Sequence, residues 1–82
     1  MPIARVSDAQ RTIRKLVPFR GDHDEFVDLV KTKFQIDKDQ DVYFVDDKDG
    51  AGIDADVIND VLQSDQGITM MVLKEGEEWG SL

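Results

Sequence analysis

The sequence contains no cysteine, a single histidine and no long apolar segment. Without cysteine the chain cannot form a disulfide framework, a thiolate zinc site or a thiol nucleophile. No apolar run approaches the roughly 20 residues that a membrane-spanning helix needs, and we expect no signal peptide. These absences predict an intracellular protein, located in the cytoplasm, the nucleus or both.

Cationic side chains are scarce and unevenly placed. The net charge is −8, which argues against a nucleic-acid-binding surface because such a surface needs a basic face. Residues 1–35 carry seven Lys or Arg and five Asp or Glu side chains, whereas residues 36–82 carry three and thirteen. This asymmetry predicts either two complementary charged faces or a solvated surface of uneven charge.

Side chains suited to catalysis are also few. His23 is the only histidine, and we expect it to face solvent in the first turn of a helix. The carboxylates are numerous, but none lies in an apolar stretch that would raise its pKa for acid–base chemistry. Gly50 and Gly52 are flanked by aspartates, which would repel a phosphate from that loop. The sequence therefore predicts a domain that is not an enzyme and needs no cofactor.

The nearest match to a metal motif is an EF-hand-type calcium loop, and it fails. Asp37, Asp39 and Asp41 have the spacing of the first, third and fifth ligands. The sixth position holds Val42 instead of glycine, and the twelfth holds Lys48 instead of glutamate. We therefore predict no metal site.

Apolar patterns predict four strands, at residues 3–6, 12–17, 42–45 and 68–73. Asp22 and Asp54 are the predicted N-caps of two helices. Trp79 is expected to cover part of the core. The order strand, strand, helix, strand, short helix, strand predicts an α+β protein, a ubiquitin-like β-grasp roll with a mixed sheet of four to five strands and two helices. The expected core side chains of the helices are Phe26, Val27, Val30, Phe34, Val57, Ile58, Val61 and Leu62.

Two charged clusters flank this predicted core. A single exposed ion pair contributes only about 0–1 kcal/mol, so either cluster would have to act as a group. If they lie on opposite sides, the basic face of one molecule can dock on the acidic face of the next, and such a contact grows into chains or helices unless the rotation closes a ring. Alternation in residues 12–17 is imperfect and leaves open which of Arg14 and Lys15 points outward. The basic candidates are Arg5, Arg11, Arg14, Lys15 and Lys31, and the acidic candidates are Asp46, Asp47, Asp49, Asp54 and Asp56.

Several segments, taken in order, resemble one known family. They are the basic segment R-T-I-R-K-L-V, the helix D-E-F-V-D-L-V-K-T-K, and V-Y-F-V-D-D-K-D-G followed by Ile53-Asp54. The chain closes with M-M-V-L-K-E-G-E-E-W. Over nearly its whole length it resembles the CIDE-N domain of the caspase-activated DNase, its inhibitor-chaperone and the cell-death-inducing lipid-droplet proteins. It departs from that family at Ala51-Gly52-Ile53, where a Thr-Val or similar pair is usual, and at Leu16, where small residues are common.

The resemblance implies an interaction module, residues 1–82, at the N-terminus of a longer protein. It implies association with other CIDE-N domains, of the same chain or of a nuclease or inhibitor, in apoptotic DNA fragmentation. Assemblies of this kind are homo-oligomers or helical filaments, and the nuclease chemistry of the family lies in another domain. Carried over by position, the basic face is Arg11, Arg14, Lys15 and Lys31, and the acidic face is Asp46, Asp47, Asp49, Asp54 and Asp56.

Two other kinds of ubiquitin-like protein stay open at this point. The PB1 heterodimerisation domain of signalling scaffolds also pairs an acidic loop with a basic patch, and its acidic motif resembles D-V-Y-F-V-D-D-K-D-G. The closing E-G-x-x-W and the early R-T-I-R-K favour CIDE-N. A conjugated ubiquitin-like modifier predicts a terminal Gly-Gly pair, whereas this sequence ends in Trp79-Gly80-Ser81-Leu82.

Overall fold

The computed structural model describes residues 3–64 and 68–80. Within these residues the order is strand, strand, helix, strand, helix, strand, as the sequence predicts. The elements are β1 Ile3–Ser7, β2 Arg14–Pro18, α1 His23–Lys33, β3 Val42–Asp46, α2 Ile58–Ser64 and β4 Thr69–Lys74.

The strands form one mixed sheet in the order β2-β1-β4-β3. Strand β1 is antiparallel to β2 and parallel to β4, and β3 is antiparallel to β4. The last strand is therefore internal, and its residues 70–73 are all buried. A strand that is covered on both faces has to be continuously apolar, as M-M-V-L is. The α+β fold with a four-stranded mixed sheet and two helices is confirmed.

Helix α1 begins where the sequence predicts. Asp22 is its N-cap, and the Asp22 carboxylate accepts hydrogen bonds from the backbone N–H groups of Asp24 and Glu25. A cap of this kind stabilises a helix by about 1 kcal/mol. Phe26 and Val30, one turn apart, are fully buried against the sheet. Burying each of them contributes roughly 1.5–3 kcal/mol, so α1 is held both by its cap and by its apolar stripe.

Each face of the sheet carries a core. The larger core lies between the sheet and the helices and includes Val6, Phe26, Phe44, Ile58 and Met70. On the opposite face, which we call the open face, Trp79 and Ala9 pack over Val45, Met71 and Leu73. Trp79 therefore covers a second, smaller core.

Three local predictions are wrong. Strand β2 starts at Arg14 rather than at residue 12, because the carboxylate of Asp8 accepts the backbone N–H groups of Thr12 and Ile13 and closes the hairpin loop. Helix α2 starts at Ile58, after a turn in which the Asp54 carbonyl accepts from Val57 and Ile58. Val57 is 38% exposed rather than part of the core, since it lies in that turn.

Candidate functional site

The two edge strands of the sheet carry or lead into candidates of opposite charge. Strand β2, which carries Arg14 and Lys15, is one edge strand, and β3, which leads into the acidic turn of residues 46–50, is the other. Two strands separate them, so the edges lie about 14 Å apart at ~4.8 Å per strand. One rigid sheet thus presents a basic edge and an acidic edge.

The register of β2 sends its two cations to different faces. Lys15 lies opposite Val6, and Arg14 lies opposite Ser7. Because neighbouring residues of a strand alternate between faces, Lys15 points to the helix face, where Val6 is buried. There its Nζ donates to the carbonyl of Lys33, 2.6 Å away, in the last turn of α1. A cation is favourable at this position because it complements the helix dipole.

Arg14 and Arg5 share the open face. Arg5 lies opposite Leu16, which is two residues along β2 from Arg14. Both arginines are exposed. Within the described residues, neither guanidinium forms an ion pair or a hydrogen bond with another part of the chain. The open face therefore holds two cations that can contact a partner.

Lys31 belongs with Lys15 near the end of α1 rather than with Arg5 and Arg14. Its Nζ donates to the carbonyl of Lys38, 2.9 Å away, and the residue is half-buried. The basic candidates thus fall into an open-face pair and a helix-end pair. Arg11 belongs to neither.

Arg11 contacts the acidic turn of its own chain. Its Nε donates to Oδ1 of Asp47 at 2.8 Å, and the two side chains are only 13% and 17% exposed. Its Nη2 donates to the carbonyl of Gly80 at 2.6 Å. Arg11 also has a φ of 58°, which costs a non-glycine residue roughly 1–2 kcal/mol. A residue predicted for the basic face is therefore paired with a residue predicted for the acidic face.

The acidic turn is ordered by its own hydrogen bonds. Oδ1 of Asp46 accepts the backbone N–H of Lys48 at 2.8 Å, and Oδ1 of Asp49 accepts that of Ala51 at 3.0 Å. The backbone N–H of Gly50 donates to the Asp46 carbonyl at 2.7 Å. These bonds fix the directions of the carboxylates, so little ordering entropy remains to be lost on binding.

Trp79 supports the acidic turn from the open face. Its Nε1 donates to the carbonyl of Asp47 at 3.2 Å. Gly50 has a φ of 78°, and a Cβ built on it would lie 2.6 Å from Trp79 Cε3. The indole therefore packs directly on the glycine backbone. Two parts of the sequence pattern, the closing Trp and the Asp-Gly turn, are therefore in contact with each other.

The acidic candidates differ in how accessible they are. Asp49, Asp54 and Asp56 are exposed, whereas Asp46 and Asp47 are half-buried. Asp54 and Asp56 precede α2 and follow the acidic turn along the chain. The carboxylates best placed to meet a partner are therefore Asp49, Asp54 and Asp56.

The open face also has exposed apolar side chains, which were not among the residues predicted from the sequence. Leu16 is 55% exposed and Ile3 is 52% exposed, and both flank Arg5 on this face. The available signal is the two-residue spacing that places Leu16 with Arg14 on one face of β2 and Ile3 with Arg5 on one face of β1. It was obscured because residues 12–17 do not alternate regularly.

Asp8 organises the loop that carries Arg11. Burial alone would raise its pKa, but hydrogen bonds from the Thr12 hydroxyl and from the backbone N–H groups of Ile13 and Thr12 outweigh burial and hold the pKa below its usual value. The backbone N–H of Arg11 donates to the Asp8 carbonyl at 3.1 Å. Asp8 thus holds the loop in the conformation that presents Arg11 to Asp47.

His23 is half-buried rather than solvent-facing. Its ring meets Phe44 edge-on with centroids 6.4 Å apart. In residues 3–64 and 68–80, no group of three His, Asp or Glu side chains is placed to hold a metal ion. No helix of the described chain is long and apolar enough to cross a bilayer.

No protein-family model matches the sequence, and no curated protein matches it. Solved structures do match. The CIDE-N domain of FSP27 is 21% identical with a TM-score of 0.82, and all of both chains is covered. The DREP2 CIDE domain is 22% identical with a TM-score of 0.86, covering 99% of this chain and 98% of that one. Cell death-inducing DFFA-like effector c is 21% identical with a TM-score of 0.78, covering 98% and 97%. The chain therefore has the fold of a CIDE-N domain, in agreement with the resemblance seen in its sequence.

Proposed function

We propose that this chain is a protein–protein interaction domain that binds other CIDE-N domains, including copies of itself, through its basic and acidic edges. The observation that carries the proposal is the strand order β2-β1-β4-β3, which separates the basic strand from the acidic turn. A surface that binds by two different edges makes a heterologous contact, and such contacts extend head to tail unless the rotation closes a ring. Assembly would then yield chains or helical filaments.

The basic edge is expected to act mainly through Arg5 and Arg14, with Lys15 and Lys31 beside the end of α1. The acidic edge is expected to act through Asp49, Asp54 and Asp56. Three charged candidates remain: Asp46 accepts the backbone N–H of Lys48, and Arg11 and Asp47 are occupied by each other. We assign them the role of holding the acidic turn in position for docking.

Charge alone is a weak source of affinity. Each exposed ion pair contributes about 0–1 kcal/mol, and salt screens it over roughly 8–10 Å. Interfaces usually combine a charged rim with a buried apolar centre. Leu16 and Ile3, exposed beside Arg5, supply apolar surface for that centre. Charge complementarity then sets the partner and the orientation.

The setting we propose is that of the apoptotic DNA-fragmentation proteins, in the cytoplasm or nucleus. The support for this is the resemblance of the sequence together with the fold shared with the CIDE-N domain of FSP27 and the DREP2 CIDE domain. A nuclease or inhibitor that carries the same domain is the expected partner besides the chain itself.

The test is reconstitution of one contact from two defective halves. Arg14→Glu reverses the charge of one of the two open-face arginines of the basic edge, and the double variant Asp54→Lys, Asp56→Lys reverses the charge of two of the three exposed carboxylates of the acidic edge. At low salt, sedimentation should show concentration-dependent growth of the unsubstituted protein and a monomer for each variant. A mixture of the two variants should form a one-to-one complex, because each retains one intact edge. Raising the salt concentration should dissolve both kinds of assembly.

Lys74→Glu is the matched control. It makes the same charge change at the opposite end of β4 from Thr69, the partner of Arg5. This variant should assemble like the unsubstituted protein. A protein that is monomeric at every salt concentration, or variants that fail to pair, would refute the proposal. A defined heterodimer with an unrelated acidic or basic partner would instead support the PB1-type alternative.

A further inference from the structure

A concavity of about 310 Å³ lies on the open face, next to the acidic turn. Leu16, Arg5 and Thr69 form one row across β2, β1 and β4, because Arg5 is opposite both of the others. At the end of this row the backbone N–H of Asp47 donates to the Thr69 carbonyl at 2.9 Å. The lining residues are Arg5, Arg14, Lys15, Leu16, Asp47 and Thr69.

The concavity carries an excess of positive charge. Among the lining residues in 3–64 and 68–80, Asp47 is the only carboxylate, and Arg11 already neutralises that group at 2.8 Å. The Lys15 ammonium is engaged on the other face of the sheet by the carbonyl of Lys33. What remains are the two guanidinium groups of Arg5 and Arg14, for which the described part of the chain supplies no acceptor.

We propose that this concavity binds a phosphate monoester. Two guanidinium groups stay fully charged at physiological pH and present planar forks that fit phosphate oxygens bidentately. A phosphate dianion can accept hydrogen bonds from both guanidinium groups, whereas a single carboxylate needs only one guanidinium group as its partner. Thr69, whose hydroxyl can donate, and Leu16 also line the concavity.

The overall charge selects a compact ligand. The protein has a net charge of −8, which repels an extended polyanion such as nucleic acid. A single phosphate group in one concavity experiences mainly the local positive excess. The phosphate can be free or carried by a phosphorylated side chain, since both present the same chemistry to the two arginines.

Phosphate binding has a consequence that rests on the proposed function. Arg5 and Arg14 are also the open-face cations of the basic edge. A bound dianion would cancel their charge and occupy the surface on which a carboxylate of the next copy docks. Phosphate would then compete with head-to-tail assembly.

The test is an NMR titration of the uniformly ¹⁵N-labelled protein at dilutions where sedimentation shows a monomer. The probes are inorganic phosphate, phenyl phosphate and a short phosphoserine peptide, with sulfate and chloride as references at constant ionic strength. Saturable shifts should be confined to residues around Arg5, Leu16 and Thr69. The double variant Arg5→Gln, Arg14→Gln should weaken binding at least tenfold, whereas Lys74→Gln should leave it unchanged. Circular dichroism melts of each variant serve as the check that it is folded.

The outcomes separate the site from its consequence. Equal shifts with chloride and phosphate, or shifts that survive the double arginine variant, overturn the site. Tighter binding of the peptide than of inorganic phosphate identifies a phosphorylated side chain as the source, and equal binding identifies free phosphate. If phosphate binds but light scattering at low salt is unaffected, competition with assembly is wrong. If the protein never assembles, the proposed function fails while the site stands on the titration alone.

Discussion

Arg11 and Asp47 lie 36 residues apart in the chain and form a partly buried ion pair, with Nε 2.8 Å from Oδ1. One residue comes from the β1–β2 loop and the other from the acidic turn after β3. The pair therefore connects the hairpin loop to the acidic turn, at the same residue whose carbonyl accepts from Trp79 Nε1. It links the orientation of the acidic turn to the conformation of the basic hairpin.

Asp47 and Asp49 are expected to respond differently to the same substitution. Asp47→Asn leaves the half-buried Arg11 guanidinium without its charge partner, whereas Asp49 is exposed. We expect Asp47→Asn to lower the free energy of unfolding by about 1–2 kcal/mol and Asp49→Asn by less than about 0.5 kcal/mol. Urea denaturation followed by circular dichroism measures both. Equal effects would show that the ion pair does not stabilise the fold.

Local sequence signals account for most of the fold. Asp22 ahead of Phe26 and Val30 specifies α1, because a cap and an apolar stripe act over neighbouring residues. The uninterrupted apolar run before Lys74 specifies a central strand. A strand inside the sheet is buried on both faces, whereas an edge strand does not need apolar side chains on both. The charged clusters can also be identified in the sequence, because counting the charges along the chain requires no knowledge of contacts.

The directions of the charged side chains could not be predicted. Lys15 faces the helices because it is in register with Val6, and one step of slippage would have sent it to the open face. Arg11 reaches Asp47 from a loop in which its own φ is 58°, a conformation that the residue type does not predict. Register and loop conformation depend on contacts between segments that are distant in the chain. The apolar and polar pattern within residues 12–17 therefore specifies neither the register nor the loop conformation.

Gly50 is expected to be intolerant of alanine. A Cβ would lie 2.6 Å from the indole of Trp79, and a φ of 78° disfavours any side chain. We expect Gly50→Ala to destabilise the protein by about 2–4 kcal/mol, the sum of a left-handed strain of about 1–2 kcal/mol and a displaced aromatic ring. The tryptophan fluorescence should shift as the indole moves.

Gly52→Ala is the control for this substitution. No atom lies within 4 Å of a Cβ built at Gly52, and it follows Gly50 by two residues in the same loop. Its stability and fluorescence should stay close to those of the unsubstituted protein. A Gly50→Ala protein that melts at the same temperature would show that Trp79 does not pack rigidly on the turn.

Asp8 should make the hairpin loop sensitive to acid. Its folded-state pKa lies below the unfolded value because the Thr12 hydroxyl and two backbone N–H groups outweigh the effect of burial. The unfolded state therefore binds the proton more readily, so the contribution of Asp8 is present above about pH 4 and is lost as the pH falls through the lower folded pKa.

Denaturant titrations at pH 7 and pH 3 detect this contribution. Asp8→Ala should cost about 1–2 kcal/mol at pH 7, through the loss of hydrogen bonds worth about 0.5–1.5 kcal/mol each, and less at pH 3. Asp56→Ala, an exposed aspartate outside the loop, should show a smaller and more uniform effect. An Asp8→Ala penalty that does not change with pH would mean that the charge of Asp8 is unimportant to the loop.

Leu16 should contribute to association without contributing to the fold. It is 55% exposed on the open face of β2, so a partner that docks there can bury about half of its side chain. Burying a whole leucine is worth roughly 1.5–3 kcal/mol, and half of that is about 1 kcal/mol, or a fivefold change in the association constant. We expect Leu16→Ser to weaken assembly about fivefold and to change the melting temperature little.

Ile13→Ser, which removes a side chain that is 46% exposed in the hairpin loop, is the matched control and should leave association unchanged. Sedimentation of both variants in the same buffer compares them directly, and equal losses would place the apolar centre of the contact somewhere other than the open face of β2.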